Sequence, residues 1–495
     1  MKRLIFLYAS IIWITIGCKK TLEKEPTARI SADIAYKTPD DANKAVYAAY
    51  APLTLNNWTT TGYMYWVLGN VASDDTDKGG ESGSDQLYAQ QIALFNIPSD
   101  NDAIRFAWSS QYIGIRRANL VIDNIPGITM DETLKSRNIA EAKFLRAYYY
   151  FNLVKTFGDV PLVLSSESET YDLSRTPKQQ VYNQIIKDFT ESAEVLPLAS
   201  KYAAADRGRA TKGAAQAYLG KVYLYLKDYP KAEEWFGKVI TSAEYALDND
   251  YLNPFLRAGE NSKENIFQVK FLNDQGAAPL QNIISTVMGS RARNGWGFNL
   301  PTKDFIDAFE PGDPRLNQTV YKTGDMMPDG LVANAGNSTT GYLTKKAYIP
   351  EYEKIAGSIN AGRDDIYLRL GKVLLWYAEA ANENGNTIIA LKALNDVRKR
   401  ARNGNPAILP DIIETGKAAL RQLIWKEQRV EFGQEFERFF ELVRQGRAGQ
   451  VLRAYATKYN TAKGAGFKDG VNEIFPIPQS EINLSKGVLI QNPGY

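Results

Sequence analysis

Apolar residues recur every three or four positions along much of this chain, the spacing that places them on one face of an α-helix. Thr38 and a following proline precede one such run, which begins at Ala42, and this combination predicts a helix start. Residues 140–157 contain no helix breaker, and Gly158 predicts the end of that helix. Thr176, also followed by proline, predicts another N-cap with a capping-box glutamine. The pattern predicts a mainly α-helical protein.

Two stretches share the spacing of a tetratricopeptide repeat, in which a pair of antiparallel helices packs small residues against larger ones. The first carries Leu219, Gly220, Tyr223, Ala232 and Phe236, with Val239 where a small residue is usual. The second carries Tyr377, Ala378, Ala381, Ala390, Leu394 and Val397. Ala147 and Tyr150 fit the first helix of a third unit, whose second helix the pattern does not identify. These matches predict a helical-repeat scaffold.

Long polar stretches separate the helical segments. Residues 73–84 are rich in Asp, Gly and Ser, residues 271–315 mix Gly, Pro and Asn with apolar residues, and residues 324–341 are Gly-rich. Loops of this length inside an ordered domain are usually functional or disordered. We therefore expect a tetratricopeptide-like scaffold that supports an irregular, loop-rich second lobe. In the charged run 427–444, phenylalanines at helical spacing predict a core helix with a charged outer face.

The N-terminus has the pattern of an export signal. Lys2 and Arg3 precede an apolar run at residues 4–16, which spans about 20 Å as a helix and is short of the roughly 30 Å hydrocarbon core. A cleaved signal peptide at residues 1–17 fits this length. Gly17-Cys18 resembles a bacterial lipobox, which predicts a lipid anchor on Cys18 and a polar leash after it. The alternative is an ordinary signal peptide with an incidental cysteine.

Composition narrows the chemistry. The 495 residues include 59 Lys plus Arg and 56 Asp plus Glu, too balanced to predict a nucleic-acid partner. The chain has no His, which excludes His-based triads and imidazole acid/base catalysis. It has a single Cys, so neither an intrachain disulfide nor a cysteine metal cluster can form. We expect no cofactor and no metal.

Short motifs also follow one another in a characteristic order. They are Ala-Glu-Ala-Lys-Phe-Leu-Arg-Ala-Tyr at 140–148, Phe-Gly-Asp-Val-Pro at 157–161, Gly-Arg-Ala-Thr-Lys-Gly at 208–213, Asp-Pro-Arg at 313–315, Trp-Tyr-Ala-Glu-Ala at 376–380, Glu-Gln-Arg-Val-Glu-Phe at 427–432, Arg-Phe-Phe-Glu-Leu-Val-Arg at 438–444, Phe-Pro-Ile-Pro at 475–478 and Asn-Pro-Gly-Tyr at 492–495. Each motif alone is weak, but the ordered set resembles the SusD/RagB family from the cysteine to the last residue.

The resemblance implies a nutrient-binding lipoprotein of the outer membrane that faces outward. Such a protein binds a glycan and delivers it to a SusC-like TonB-dependent transporter, without acting as an enzyme. The resemblance also implies an N-terminal SusD-like region with helical repeats at 18–250 and a SusD/RagB C-terminal region at 265–495. Members differ in their ligand, so neither the sugar nor its linkage and length follows from it.

Sugar rings stack their C–H faces on aromatic side chains, and their hydroxyl groups bond to carboxylates, amides and arginine. Among the tryptophans, Trp58, Trp66 and Trp296 lie in or near loops, whereas the others outside the signal lie in helical patterns. We therefore predict one shallow site drawn from two loops. Its predicted ligand-binding residues are Trp66, Asp74, Asp75, Tyr88, Arg291, Trp296 and Asn299.

Other interpretations of the same residues do not involve a glycan. Gly-Trp-Gly around Trp296 is equally well read as a structural turn. The aspartates from Asp75 onward invite a calcium site, but a third oxygen ligand is missing and Gln86 stands where a bidentate Glu is needed. Two other functions stay open: a glycoside hydrolase that uses two carboxylates, and a purely structural, protein-binding module.

Overall fold

The structure of this chain, a computed structural model, describes residues 36–54, 64–167, 174–271, 282–336, 338–353 and 362–495. The predicted signal peptide, the predicted lipid anchor at Cys18 and the polar leash after it lie outside these residues, as does Trp58. Among the described residues, no helix is both long enough and apolar enough to cross a membrane.

Helices dominate the described segments, which confirms the predicted fold class. The α-helices are α1 (Pro39–Tyr50), α2 (Leu87–Ala93), α3 (Asp102–Asn124), α4 (Glu132–Phe157), α5 (Lys178–Val195), α6 (Lys212–Tyr225), α7 (Tyr229–Thr241), α8 (Ile284–Met288), α9 (Lys303–Ile306), α10 (Arg315–Thr319), α11 (Leu370–Glu383), α12 (Thr387–Ala401), α13 (Lys417–Glu431), α14 (Arg438–Arg444), α15 (Ala448–Tyr459) and α16 (Gln479–Leu484). The strands are β1 (Thr76–Gly79), β2 (Asn265–Val269), β3 (Phe298–Pro301), β4 (Val320–Tyr321), β5 (Leu343–Thr344) and β6 (Asp365–Arg369).

Two predicted helix ends are confirmed and one is wrong. Thr38 caps α1 in a capping box with the aspartate three residues later, and Gly158 ends α4 with a φ of 75°, which suits glycine. The predicted N-cap at Thr176 is not made. Its backbone N–H instead bonds to the carbonyl of Val160, and the side chain of Asp159 accepts the first N–H of α5 at 2.8 Å.

The predicted repeats form pairs of neighbouring helices. Helix α6 packs on α7, α11 packs on α12, and α7 also packs on α11, so the two repeats are joined into one scaffold. Gly220 lets α6 approach α7 closely, because a Cβ at this position would lie only 2.6 Å from the ring of Phe236. The missing second helix of the third unit is α5, which packs on α4 after an intervening loop.

The short strands lie in the second lobe and at its junction with the scaffold. Each pairs with one antiparallel neighbour: β1 with β3, β2 with β6, and β4 with β5. Strand β2 inserts Phe267 into the scaffold, where its ring centroid lies 5.0 Å from that of Phe144 and 6.4 Å from that of Tyr218. The main hydrophobic core therefore continues from the helical repeats into the base of the second lobe.

The charged run 427–444 departs from its predicted form. Helix α13 ends at Glu431 and α14 begins at Arg438, because Gln434 and Phe436 between them take positive φ angles of 66° and 65°. The predicted charged outer face is wrong, since the glutamates of this run are buried. With partners from the rest of the lobe they form a cluster that we call the ionic core, which comprises Glu264, Asp313, Arg315, Lys346, Arg369, Arg400, Glu427, Glu431 and Glu435.

Candidate functional site

Strand pairing brings the two predicted ligand loops together. In the β1–β3 ladder, Thr76 lies opposite Pro301 and Gly79 lies opposite Phe298. Beyond the ladder, the guanidinium group of Arg291 bonds to Glu81 at 2.7 Å and to a second carboxylate, Asp85, at 3.0 Å. The two loops, distant in sequence, thus form one surface of the second lobe.

Four of the seven predicted ligand residues are buried, which argues against direct contact with a ligand. Trp66 is fully buried, and its ring centroid lies 5.6 Å from that of Phe298. Asn299 is also fully buried, and its amide group donates to Gln434 at 2.9 Å and accepts from Asn70 at 3.2 Å. Trp66 and Asn299 therefore act as packing and bonding residues inside the lobe, and the prediction that they line a surface is corrected.

Asp74 and Asp75 are buried for a different reason. Asp74 forms a bidentate ion pair with Arg438, with both N–O distances at 2.9 Å. Asp75 accepts a hydrogen bond from the guanidinium group of Arg429 at 2.7 Å. Burial opposes ionisation of Asp74, but Arg429 and Arg438 hold the pKa of its carboxyl well below the usual range. The two aspartates tie the segment before β1 to α13 and to the start of α14, so their assignment to the ligand surface is also corrected.

Asp77, which belongs to the stretch considered for calcium, accepts the backbone N–H of Gly79 at 3.0 Å, a bond within β1. Within the described segments, no group of three or more Asp, Glu, His or Cys side chains is arranged to hold a metal ion.

The other three predicted residues lie at the edge of the core. Tyr88, Arg291 and Trp296 are half-buried, and Trp296 packs part of its ring on the main core while its backbone N–H bonds to Thr286 at 2.8 Å. These three residues keep access to solvent. They remain candidates for ligand contact.

A cleft of about 40 Å³ lies next to these residues. Its lining includes Arg293 and Asn294, which belong to the predicted loop around Trp296, and Tyr321 and Tyr348, which the sequence pattern did not single out. We call it the Arg293 cleft. The guanidinium group of Arg293 bonds to the hydroxyl of Tyr348 and pairs with Glu351 at 2.5 Å, so its orientation is fixed by two partners.

Tyr352 directly follows Glu351, the partner of Arg293, and is 70% exposed, an unusual state for a large aromatic side chain. It belongs to the turn Glu351–Glu353, which is tied down because Asp329 accepts from the N–H of Glu351 at 2.8 Å and from the hydroxyl of Tyr348 at 2.7 Å. Burial opposes ionisation of Asp329, but these hydrogen bonds hold its pKa below the ordinary value. In the sequence, Tyr352 lies between two glutamates in a polar loop, and this pattern could have indicated an exposed aromatic residue.

The arrangement suits recognition by stacking and hydrogen bonding. Tyr352 offers an exposed flat apolar face, and Arg293, which pairs with the preceding residue Glu351, offers planar donors. Of the two nearby carboxylates, Glu351 pairs with Arg293 and Asp329 lies 3.8 Å from the same guanidinium group.

Comparison with known proteins gives a consistent result. The model of the SusD family matches residues 263–495, and a model described as starch-binding and associating with the outer membrane matches residues 44–224. The chain is 26% identical to a SusD-like protein of Formosa agariphila, over 100% of both chains. It is also 26% identical to the starch-binding protein SusD of Bacteroides thetaiotaomicron, over 81% of each chain.

Solved structures share the fold. A laminarin-binding SusD-like protein superposes with a TM-score of 0.78 at 29% identity, covering 93% of this chain and 100% of that one. Surface glycan-binding protein A from Bacteroides thetaiotaomicron, in complex with laminarihexaose, gives a TM-score of 0.77 at 25% identity, covering 92% and 100%.

Proposed function

Because this chain belongs to the SusD family, we propose that it captures a glycan at the cell surface and delivers it to a SusC-like TonB-dependent transporter of the outer membrane. The proposal includes no catalytic step. It is supported by relatives whose names describe starch, laminarin or glycan binding.

The observation that carries the proposal is the exposed ring of Tyr352, which directly follows Glu351, the residue that pairs with the guanidinium group of Arg293. We propose that a sugar ring stacks on Tyr352 and that its hydroxyl groups bond to Arg293. Arg291, Trp296 and Tyr88 extend this surface. A delivery protein must also release its cargo, so we expect weak binding, about −5 to −8 kcal/mol.

The ligands to test first are glucan oligosaccharides, because two of the solved relatives bind laminarin or laminarihexaose and one curated relative binds starch. Calorimetric titration of the mature protein with laminarihexaose and with maltohexaose should give binding by at least one. Tyr352→Ala should weaken that binding by about 1–3 kcal/mol, by analogy with stacking of nucleobases on aromatic rings.

Tyr47→Ala is the matched control, since Tyr47 is another exposed tyrosine, 55% accessible, but lies on the scaffold helix α1. It should leave the affinity unchanged. Equal affinities for Tyr352→Ala and the wild type, with both proteins folded, would place the glycan elsewhere. Shortened products in the same incubations would instead favour the glycoside hydrolase, and no binding to any glycan would favour the structural module.

We also propose that Cys18 carries the lipid that holds the protein at the outer membrane. Cys18→Ala should release the protein from the outer-membrane fraction or leave it unprocessed, because a lipid chain contributes about 0.8 kcal/mol per buried CH₂ to membrane binding. Unchanged partitioning into that fraction would refute the assignment.

A further inference from the structure

A second cavity lies where the scaffold meets the second lobe. It has a volume of about 50 Å³ and shares no lining residue with the Arg293 cleft. Its lining residues come from α4 and α6 of the scaffold, from β6, and from the segments around Tyr65 and Phe436. One water molecule needs about 10–15 Å³ of such space, so the cavity has room for about three.

Lys155 of α4 lines this cavity and is surrounded by aromatic rings. Its ammonium nitrogen lies 4.4 Å from the ring centroid of Phe440 and 4.8 Å from that of Tyr65. The ring of Phe151 lies 5.6 Å away, and these three rings form what we call the aromatic cage. A ring face attracts a cation, but it is a weaker hydrogen-bond acceptor than an oxygen atom.

Lys155 has no oxygen partner of its own. Within the described residues its ammonium group makes neither a hydrogen bond nor an ion pair, although it carries three N–H donors. Part of its surface is accessible, so water in the cavity can reach it. A buried charge is ordinarily paired or hydrogen-bonded, and Lys155 departs from this rule.

Other cations already occupy the carboxylates nearby. Glu437 pairs with Lys221 at 2.8 Å and with Lys372 at 3.5 Å. Glu435 pairs with Arg369 at 2.6 Å. The charged and titratable groups around Lys155, from the elements packed against it, are Lys221, Lys372, Asp365, Glu435, Glu437, Glu441, Tyr65, Tyr148, Tyr218 and Tyr367.

Two groups on the cavity lining change protonation near neutral pH. Burial lowers the pKa of Lys155 to about 7, and the charge of Lys221 acts in the same direction. Burial raises the pKa of Asp365, which makes no ion pair within the described segments, to about 7. The pKa of Glu437 is about 2, so its carboxylate stays ionised throughout this range.

We propose that Lys155 is a proton switch at the junction of the scaffold and the second lobe. As an ammonium ion it is held by the aromatic cage and by water in the cavity. As a neutral amine it no longer carries the cost of burying an unpaired charge, so the junction is more stable once the proton has left. The switch does not depend on glycan binding.

Urea denaturation of the mature protein and of Lys155→Met, from about pH 6 to about pH 9, tests this switch. Methionine keeps an unbranched side chain without the charge. The folded pKa of Lys155 lies below the unfolded value of about 10.4, so its contribution to stability becomes more favourable as pH rises between the two values. The folding equilibrium constant of the wild type, relative to that of Lys155→Met, should rise on the order of fiftyfold between pH 7 and pH 9.

Lys392→Met is the matched control, because Lys392 is an exposed lysine on α12. The ratio of its folding equilibrium constant to that of the wild type should stay constant over the same pH range. A ratio for Lys155→Met that is also constant with pH would overturn the switch.

NMR titration of the wild type with ¹³C-labelled lysine gives a second readout. The lysine signal that is absent from Lys155→Arg should titrate at about pH 7 in the wild type. Titration of that signal at about pH 10, the ordinary range of an exposed lysine, would overturn the switch even if Lys155→Met failed to fold. Either negative result leaves the proposed function intact, since that function is measured by glycan binding.

Discussion

In the helical scaffold, Trp376 is buried between Phe236 and Phe432, with ring centroids 6.2 and 5.5 Å away, and Gly220 lies against the ring of Phe236. In the ionic core, Arg369 donates to three carboxylates, those of Glu264, Glu431 and Glu435, at 2.6–2.7 Å. One region is held by apolar contact and shape, and the other by paired charges.

The two regions should therefore respond differently to substitutions. Apolar burial is non-directional, so the scaffold depends on volume and on helix spacing. A buried charge is costly unless all its partners are in place, so the ionic core depends on specific geometry. This geometry allows irregular segments to be fixed without long helices or strands, which is what a lobe made of binding loops requires.

The largest effect should come from breaking the ionic core at Glu431, which contacts Arg315, Arg369 and Arg400. Burial opposes its ionisation, but these guanidinium groups hold its pKa well below the usual range. Glu431→Ala leaves buried cations without a partner and should lower the free energy of unfolding by about 3–5 kcal/mol. Urea denaturation measures this, with Glu194→Ala as the exposed control. A loss below about 1 kcal/mol would mean that the pairs are not structurally important.

Trp376→Ala probes the scaffold on the same scale. Trp376 is fully buried, and its indole N–H donates to Glu441 at 3.2 Å. Removing a core tryptophan costs about 3–5 kcal/mol, so this variant should unfold at a much lower urea concentration. Trp235→Ala is the control, because Trp235 is only partly buried on the outside of α7 and should cost less. Equal losses for the two variants would contradict the assignment of Trp376 to the core.

Acid should weaken the contact between Glu437, which precedes α14, and lysines of the scaffold helices. Burial opposes its ionisation, but Lys221, Lys372 and Lys155 lower the pKa of its carboxyl to about 2. The folded pKa lies below the unfolded value of about 4.3, so Glu437 contributes stability above that value and loses the contribution as pH falls toward 2. The stability gap between the wild type and Glu437→Gln should therefore shrink between about pH 5 and pH 2, by on the order of 2–3 kcal/mol. A gap that is constant with pH would refute this.

A smaller effect is expected from crowding the scaffold. Gly220→Leu should push α6 away from α7 and cost about 1–3 kcal/mol, because a Cβ would already lie 2.6 Å from the ring of Phe236. Gly127→Leu is the matched control, since a Cβ at Gly127 meets no atom within 4 Å. Denaturation midpoints measure both. Equal stability of the two variants would show that the helices do not approach as closely as the structure has them.

The smallest change in stability is expected where the two regions meet the ligand surface. Trp296→Ala should weaken binding of the true glycan by about 1–3 kcal/mol if its ring is a stacking platform, and it should leave the fold intact. Calorimetry with the best ligand from the hexaose titrations measures the first effect, and circular dichroism measures the second. Unchanged affinity in a folded variant would make Trp296 a structural turn residue, which is the alternative drawn from its flanking glycines.

The scaffold could be predicted from the sequence more accurately than the site, because its signals come from residues close together in sequence. The site depends on contacts between residues that are far apart in sequence. Thr38, Gly158 and the Gly220 repeat are defined by residues a few positions apart, and the structure confirms them. The sequence places Trp66 and Asn299 in or near loops, but Trp66 packs against the ring of Phe298, Asn299 belongs to β3, and both are fully buried. The same local reasoning missed Tyr352, whose exposure depends on how Asp329 holds its turn.

By itself the sequence determined the helical class, the repeat pairs and the family, since hydrophobic periodicity and ordered motifs are local or cumulative signals. Only the tertiary structure decided which polar residues face solvent. The aspartates at 74 and 75 and the glutamates of 427–444 carry the composition of an exposed surface, yet they are buried because arginines from distant segments pair with them. The position of a charged residue in the sequence does not reveal which residue of opposite charge it will pair with. Burial of that charged residue becomes favourable only when the fold brings its partner within about 3 Å.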